Sequence, residues 1–168
     1  MEIDDDGKYT FDEFVKYGRV SPKNLARRQE LRVKHIMSTN PFSLKETDTL
    51  RSLEMVMEFK NIRHVPIVDS KLHVKGIVTH RDFLGASVST LAKIDDRERK
   101  KVNRQIKIAN IMKKDPQCVS PNTTLIEAAK LMHQHKYGCL LVTEDEKLVG
   151  IVTADGFIKF FTEWDLFV

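Results

Sequence analysis

The chain repeats itself, and no other feature restricts its fold as strongly. Ile36-Met37 and Ile111-Met112 stand 75 residues apart, as do Pro41 and Pro116, and Thr49-Leu50 and Thr124-Leu125. Gly76 and Gly150, which open "GIVT" in both copies, are 74 apart. One residue has therefore been dropped, most simply in the polar turns "DSKLHVK" and "EDEKLV", where surface loops tolerate a change of length. A period this long makes each copy one supersecondary unit, and such units must cover each other to bury a core.

Both copies read alike. A short extended piece comes first ("PFSL"; "PQCVSP"). A helix follows. In the second copy Leu125, Ala128, Ala129 and Met132 fall on one face at i, i+3, i+4 and i+7. Thr124 and Glu127 form the pattern of a capping box at its start. In the first copy Leu50, Leu53 and Met57 make the corresponding stripe, with Thr47 or Asp48 as N-cap. Two strands then flank a polar turn, "HVPIVD" with "VKGIVT" and "CLLVTE" with "LVGIVT". Their nearly continuous Val, Ile and Leu content is that of strands covered on both faces. A closing helix begins near Arg81 and near Gly156. The unit is β-α-β-β-α, the class is α+β, and two copies are expected to pair about a pseudo-twofold axis.

Composition narrows the remaining choices. With 41% hydrophobic and 31% charged residues in 168, the chain is globular, one domain or two small ones. No run reaches the ~18 apolar residues that a membrane helix needs. Two cysteines, Cys118 and Cys139, are too few for a disulfide framework, so a reducing cytoplasm is expected. The net charge of +4 is mild and does not distinguish nucleic acid from nucleotide. The basic stretch from Arg97 to Lys107 has no interleaved aromatic, which argues against nucleic acid. No nucleophile–base pair, metal set or P-loop is present, so catalysis is not expected.

The repeat divides the chain into an N-terminal extension, partly helical (1–34), a first repeat (35–92), a helical linker (93–109) and a second repeat (110–168). The linker reads as a solvated connector helix with an i, i+4 contact between Val102 and Ile106. In the extension, Asp4, Asp6 and Glu13 fall at the spacing of positions 3, 5 and 12 of a calcium-binding EF-hand loop, with Gly7 at position 6. Glu2 stands where an Asp supplies position 1. Thr10 and Glu13 equally make a capping box. That second reading is preferred, and no metal is expected.

Tandem β-α-β-β-α units entered through "IM", with "HVPIVD" and "GIVTHRD", resemble a CBS-domain pair (cystathionine β-synthase domain), also called a Bateman module. The resemblance covers about residues 35–167. It implies a flat pseudo-twofold module with two clefts, binding of adenine nucleotides (AMP, ADP or ATP) or S-adenosylmethionine as a regulatory ligand, and no required cofactor. It also implies homodimerisation and signalling to a separate effector protein. Carried onto this sequence, Asp82 would take the ribose diol, since an ionised carboxylate accepts from two hydroxyls. Thr79 would bond ribose or phosphate, and Arg81 would offer phosphate a planar fork. Ile62 would meet the base, and Arg63 or His64 the phosphate. Thr79 and Asp82 are equally what a plain helix N-terminus uses.

The second copy departs from this pattern. Gly156 replaces Asp82, Asp155 replaces Arg81, and Tyr137, Gly138 and Cys139 replace Ile62, Arg63 and His64. The expectation is a competent cleft at Asp82 and a weaker one at Thr153. The alternative is a ligand-free module that dimerises or acts as a scaffold.

Overall fold

A computed structural model describes residues 31–87 and 95–163. Asp4, Asp6, Glu13 and most of the N-terminal extension lie outside them. The first copy runs β1 (Ser38–Thr39), α1 (Leu50–Lys60), β2 (His64–Val68), β3 (Val74–Thr79) and α2 (His80–Ala86). A linker helix α3 (Asp96–Asn103) follows. The second copy runs β4 (Lys113–Lys114), β5 (Cys118–Val119), α4 (Leu125–His135), β6 (Cys139–Glu144), β7 (Lys147–Thr153) and α5 (Ala154–Glu163).

Local chemistry sets the helix ends. In α4, Thr124 Oγ1 accepts the Glu127 N–H at 3.1 Å and Glu127 Oε2 accepts the Thr124 N–H at 2.9 Å, the expected capping box. The cap of α1 is Thr49, not Thr47 or Asp48: its Oγ1 accepts the Ser52 N–H at 3.3 Å. Asp48 is unavailable because its carboxylate already accepts the Lys45 N–H at 2.7 Å in the preceding turn. The stripes of both helices are buried except Ala129, which is exposed.

The sheets hold a feature the repeat pattern did not reveal. Each copy starts with a two-residue strand that pairs with the other copy. β1 lies antiparallel to β7 (Ser38↔Ile151, Thr39↔Gly150), and β4 lies antiparallel to β3 (Gly76↔Lys114, Ile77↔Lys113). The orders are β1-β7-β6-β5 and β2-β3-β4, with Leu44 bridging Ile67 in parallel beside β2 as β5 lies beside β6. The shared glycines make this exchange possible. A Cβ on Gly76 would sit 2.8 Å from the Lys113 carbonyl oxygen and from Met112 Sδ, and one on Gly150 would sit 2.7 Å from Met37 Sδ. "GIVT" and "IM" are thus two halves of one contact, made twice.

Three apolar layers result. Leu50, Leu53, Val65 and Val78 close the first helix–sheet layer, and Ala128, Leu140, Val142 and Val152 the second. Between the sheets, Val68 and Ile77 of one copy meet Cys139, Leu141 and Ile151 of the other. Strands covered on both faces explain why they lack a polar alternation.

The linker helix ends at Asn103, so Val102 and Ile106 do not form the expected contact within it. Val102 faces out, while Ile106 packs against the first core and its carbonyl accepts the Leu50 N–H. Nor is the helix merely solvated: Arg99 reaches Glu54 on α1 at 2.9 Å.

Candidate functional site

The two hairpins bring equivalent strand ends together. His64 pairs with Thr79 across β2–β3, and Cys139 pairs with Thr153 across β6–β7. The His80 N–H donates to the Arg63 carbonyl at 2.8 Å, and the Ala154 N–H donates to the Gly138 carbonyl at 3.2 Å. Beside these ends opens a cleft of about 700 Å³, within the range of small-molecule sites.

The cleft is composite. Arg63, His64, Thr79 and Arg81 of the first copy line it together with Tyr137, Gly138 and Cys139 of the second. The sequence sorted these residues by copy, whereas the exchanged strands and the sheet–sheet contact sort them by side. Thr153 and Asp155 are not on this wall. Ile62 packs against the first helix–sheet core. Ile77, Leu84, Cys139 and Leu141 supply the apolar lining instead.

Asp82 sits just behind the wall in a tight network. Its Oδ2 accepts the Thr79 N–H at 2.9 Å and the Thr79 hydroxyl at 2.6 Å, while Thr79 Oγ1 accepts the Asp82 N–H at 3.3 Å. Its Oδ1 lies 3.3 Å from Lys113 Nζ on the exchanged strand. Burial alone would raise the Asp82 pKa, but the two Thr79 donors and Lys113 outweigh it and hold the carboxyl below its ordinary range. The His64 pKa also lies below the ordinary imidazole value, for a different reason: burial lowers it, Arg63 adds to that, and Asp82 opposes it. Burial and Arg63 both favour the neutral ring. Burial also pushes the Cys139 thiol up to about 12, which leaves it unreactive.

One departure in the second copy has a steric cause. Gly138 stands where the first copy has Arg63, and a Cβ there would lie 2.7 Å from His64 Nε2. The glycine makes room for the other copy's histidine. The Thr153 cap survives without a carboxylate, since Thr153 Oγ1 accepts the Gly156 N–H at 3.2 Å.

Lys113, Lys114, Gln117 and Lys136 also line the cleft, and none was singled out from the sequence. The signal was present in "IMKKD", but only the strand exchange turns it toward the first copy's residues. Among the described residues no group of three or more His, Cys, Asp or Glu is placed to hold a metal ion. None of the described helices is long and apolar enough to cross a membrane.

Two interlocked repeats that exchange strands and share this cleft define a tandem-repeat α+β module. The CBS-domain family model matches residues 33–89 and 108–163, and the chain belongs to that family. It is 32% identical over 122 residues to a CBS domain-containing protein of Dictyostelium discoideum, covering 72% of this chain and 84% of that protein. A solved structure assigned to acetoin utilization in Vibrio cholerae is similar at 34% identity and a TM-score of 0.66, covering 79% of this chain and 90% of that one. A CBS-pair protein of Arabidopsis thaliana, solved in complex with AMP, has the same fold at 22% identity and a TM-score of 0.65, covering 79% and 97%. Inosine-5'-monophosphate dehydrogenases match only in part: the chain spans 23% of the length of the one from Methanocaldococcus jannaschii, at 28% identity over 79% of this chain.

Proposed function

We propose that the protein is a non-catalytic sensor that binds an adenosine-containing ligand in the composite cleft and passes the bound state to a partner protein. The observation that carries this reading is the make-up of the wall, where both copies contribute side chains to one cavity. A ligand there would bridge the repeats and bias how they sit against each other, and that bias is the signal. Support comes from similar folds solved with AMP and with 5'-methylthioadenosine and S-adenosyl-L-methionine. Asp82 faces the ribose, Thr79 orients Asp82, and Arg63, His64 and Arg81 meet the phosphate. Thermal-shift measurements with AMP, ADP, ATP and S-adenosylmethionine test it. A ligand at 100 times its dissociation constant adds about 2.7 kcal/mol of stability. The shift should vanish in Asp82→Ala, and no shift with any of the four ligands would refute the reading.

One observation favours a second reading, a ligand-free dimeric scaffold. Leu84 and Ile158 occupy equivalent positions in α2 and α5, and both are largely exposed, at 59% and 62%. Paired apolar residues of this kind suit contact with another copy. A monomeric mass by light scattering would remove this alternative.

A further inference from the structure

The cleft carries more positive charge than recognition of a nucleoside requires. Arg63 and Arg81 of the first copy share its wall with Lys113, Lys114 and Lys136 of the second. Asp115 is the carboxylate on that wall, and Asp82 behind it engages Lys113. Arg63, Arg81, Lys114 and Lys136 form no ion pair among the described residues. A cleft lined by one sign of charge focuses its field on the space inside. Lys136 is also in an unusual place. It caps α4 with φ at 57°, where glycine or asparagine fits most easily, and the first copy uses Asn61 at the equivalent position.

We propose that this cleft selects a nucleotide bearing two or more phosphates, held by Lys113, Lys114 and Lys136 of one copy and by Arg63 and Arg81 of the other, and rejects the cationic S-adenosylmethionine. The inference rests on the adenosine reading above and names the ligand within it. Lysine ammonium groups on flexible stems suit a polyphosphate whose oxygens point several ways, while the two guanidiniums can each grip one phosphate in a fork. Lys113 couples the two ends of the ligand. When it turns to phosphate it leaves Asp82 Oδ1, and that oxygen is then free to accept a ribose hydroxyl.

The test is titration calorimetry on the full chain without magnesium, using adenosine, AMP, ADP, ATP, inorganic tripolyphosphate and S-adenosylmethionine at low and high salt. Affinity is expected to rise about tenfold or more from AMP to ATP and to fall as salt is added. S-adenosylmethionine should bind about a hundredfold or more weaker than ATP. Replacing Lys114 and Lys136 together by Gln changes only exposed side chains. It should weaken ATP about tenfold while leaving AMP within about threefold, because only the outer phosphates lose their partners. Equal affinity for AMP and ATP, or S-adenosylmethionine binding as tightly as ATP, overturns the selection and leaves the adenosine reading standing. Tripolyphosphate binding as tightly as ATP keeps the polyanion site and removes the adenosine. Binding of none of the six overturns both.

Discussion

Glu54 should be the most costly single charge to remove. It lies on α1 with only 3% of its side chain exposed, gripped by Arg51 at 2.7 Å and by Arg99 of the linker helix at 2.9 Å. Glu54→Gln keeps the shape and one acceptor, but turns an amide donor toward a guanidinium. Removing one partner from a buried pair costs about 3–5 kcal/mol. The two guanidiniums remain 23% and 21% exposed and can rehydrate in part, which puts the loss nearer 2–3 kcal/mol. For a chain of this size that lowers the melting temperature by roughly 4–12 °C. Urea denaturation at pH 7 measures it, and Arg99→Ala completes a double-mutant cycle that isolates the linker contact. The pH dependence supplies a second check. Burial would raise the Glu54 pKa, but Arg51 and Arg99 outweigh it and hold the group below its ordinary 4.5. The stabilisation is thus present above that value and lost as pH falls through the folded-state pKa, so the gap between wild type and Glu54→Gln should narrow as the solution is acidified below 4.5. A gap under about 0.5 kcal/mol at pH 7 would refute the clamp, since that is the scale of an unremarkable surface change.

Three further outcomes follow from the geometry. Gly76→Ala should destabilise by about 1–3 kcal/mol and Gly150→Ala by less. The first Cβ meets the Lys113 backbone oxygen at 2.8 Å, whereas the second meets flexible Met37 Sδ at 2.7 Å and a backbone oxygen only at 3.2 Å, and paired chemical denaturation tells them apart. Gly156→Asp should fold and stabilise α5 by about 0.5–1 kcal/mol, because a Cβ there meets nothing closer than 3.6 Å and Thr153 awaits a capping-box partner; thermal unfolding reads it. Asp69 accepts the N–H groups of Lys71 and His73 in the β2–β3 turn, and these bonds outweigh desolvation and lower its pKa to about 2. Its contribution is present above its ordinary 3.8 and lost between there and about 2, so Asp69→Ala should be less stable at pH 7 and converge with wild type in strong acid, as far-ultraviolet circular dichroism would show.

Much of this was legible because the signals are local. Thr124 and Glu127 lie within one turn of each other, so their capping box reads directly from the sequence. The stripe of Leu50, Leu53 and Met57 needs only a helical period. Thr49 was missed as the α1 cap because three adjacent polar residues compete, and only the turn that occupies Asp48 decides among them. Two-residue strands such as β1 and β4 have no period at all, and their pairing partners lie in the other copy.

The same division applies to the protein as a whole. Two copies of one unit, hairpins buried on both faces, and a difference between "HRD" and "ADG" where chemistry would sit can all be read along the chain. Each follows from composition and spacing along one stretch of chain. Which residues share a cleft depends on how the two copies fold together. That tertiary arrangement sets Arg63 and Arg81 beside Lys113, Lys114 and Lys136, and His64 against Gly138. Those neighbours are chosen by a strand exchange between copies, which depends on a backbone approach that two glycines permit and that no local pattern encodes.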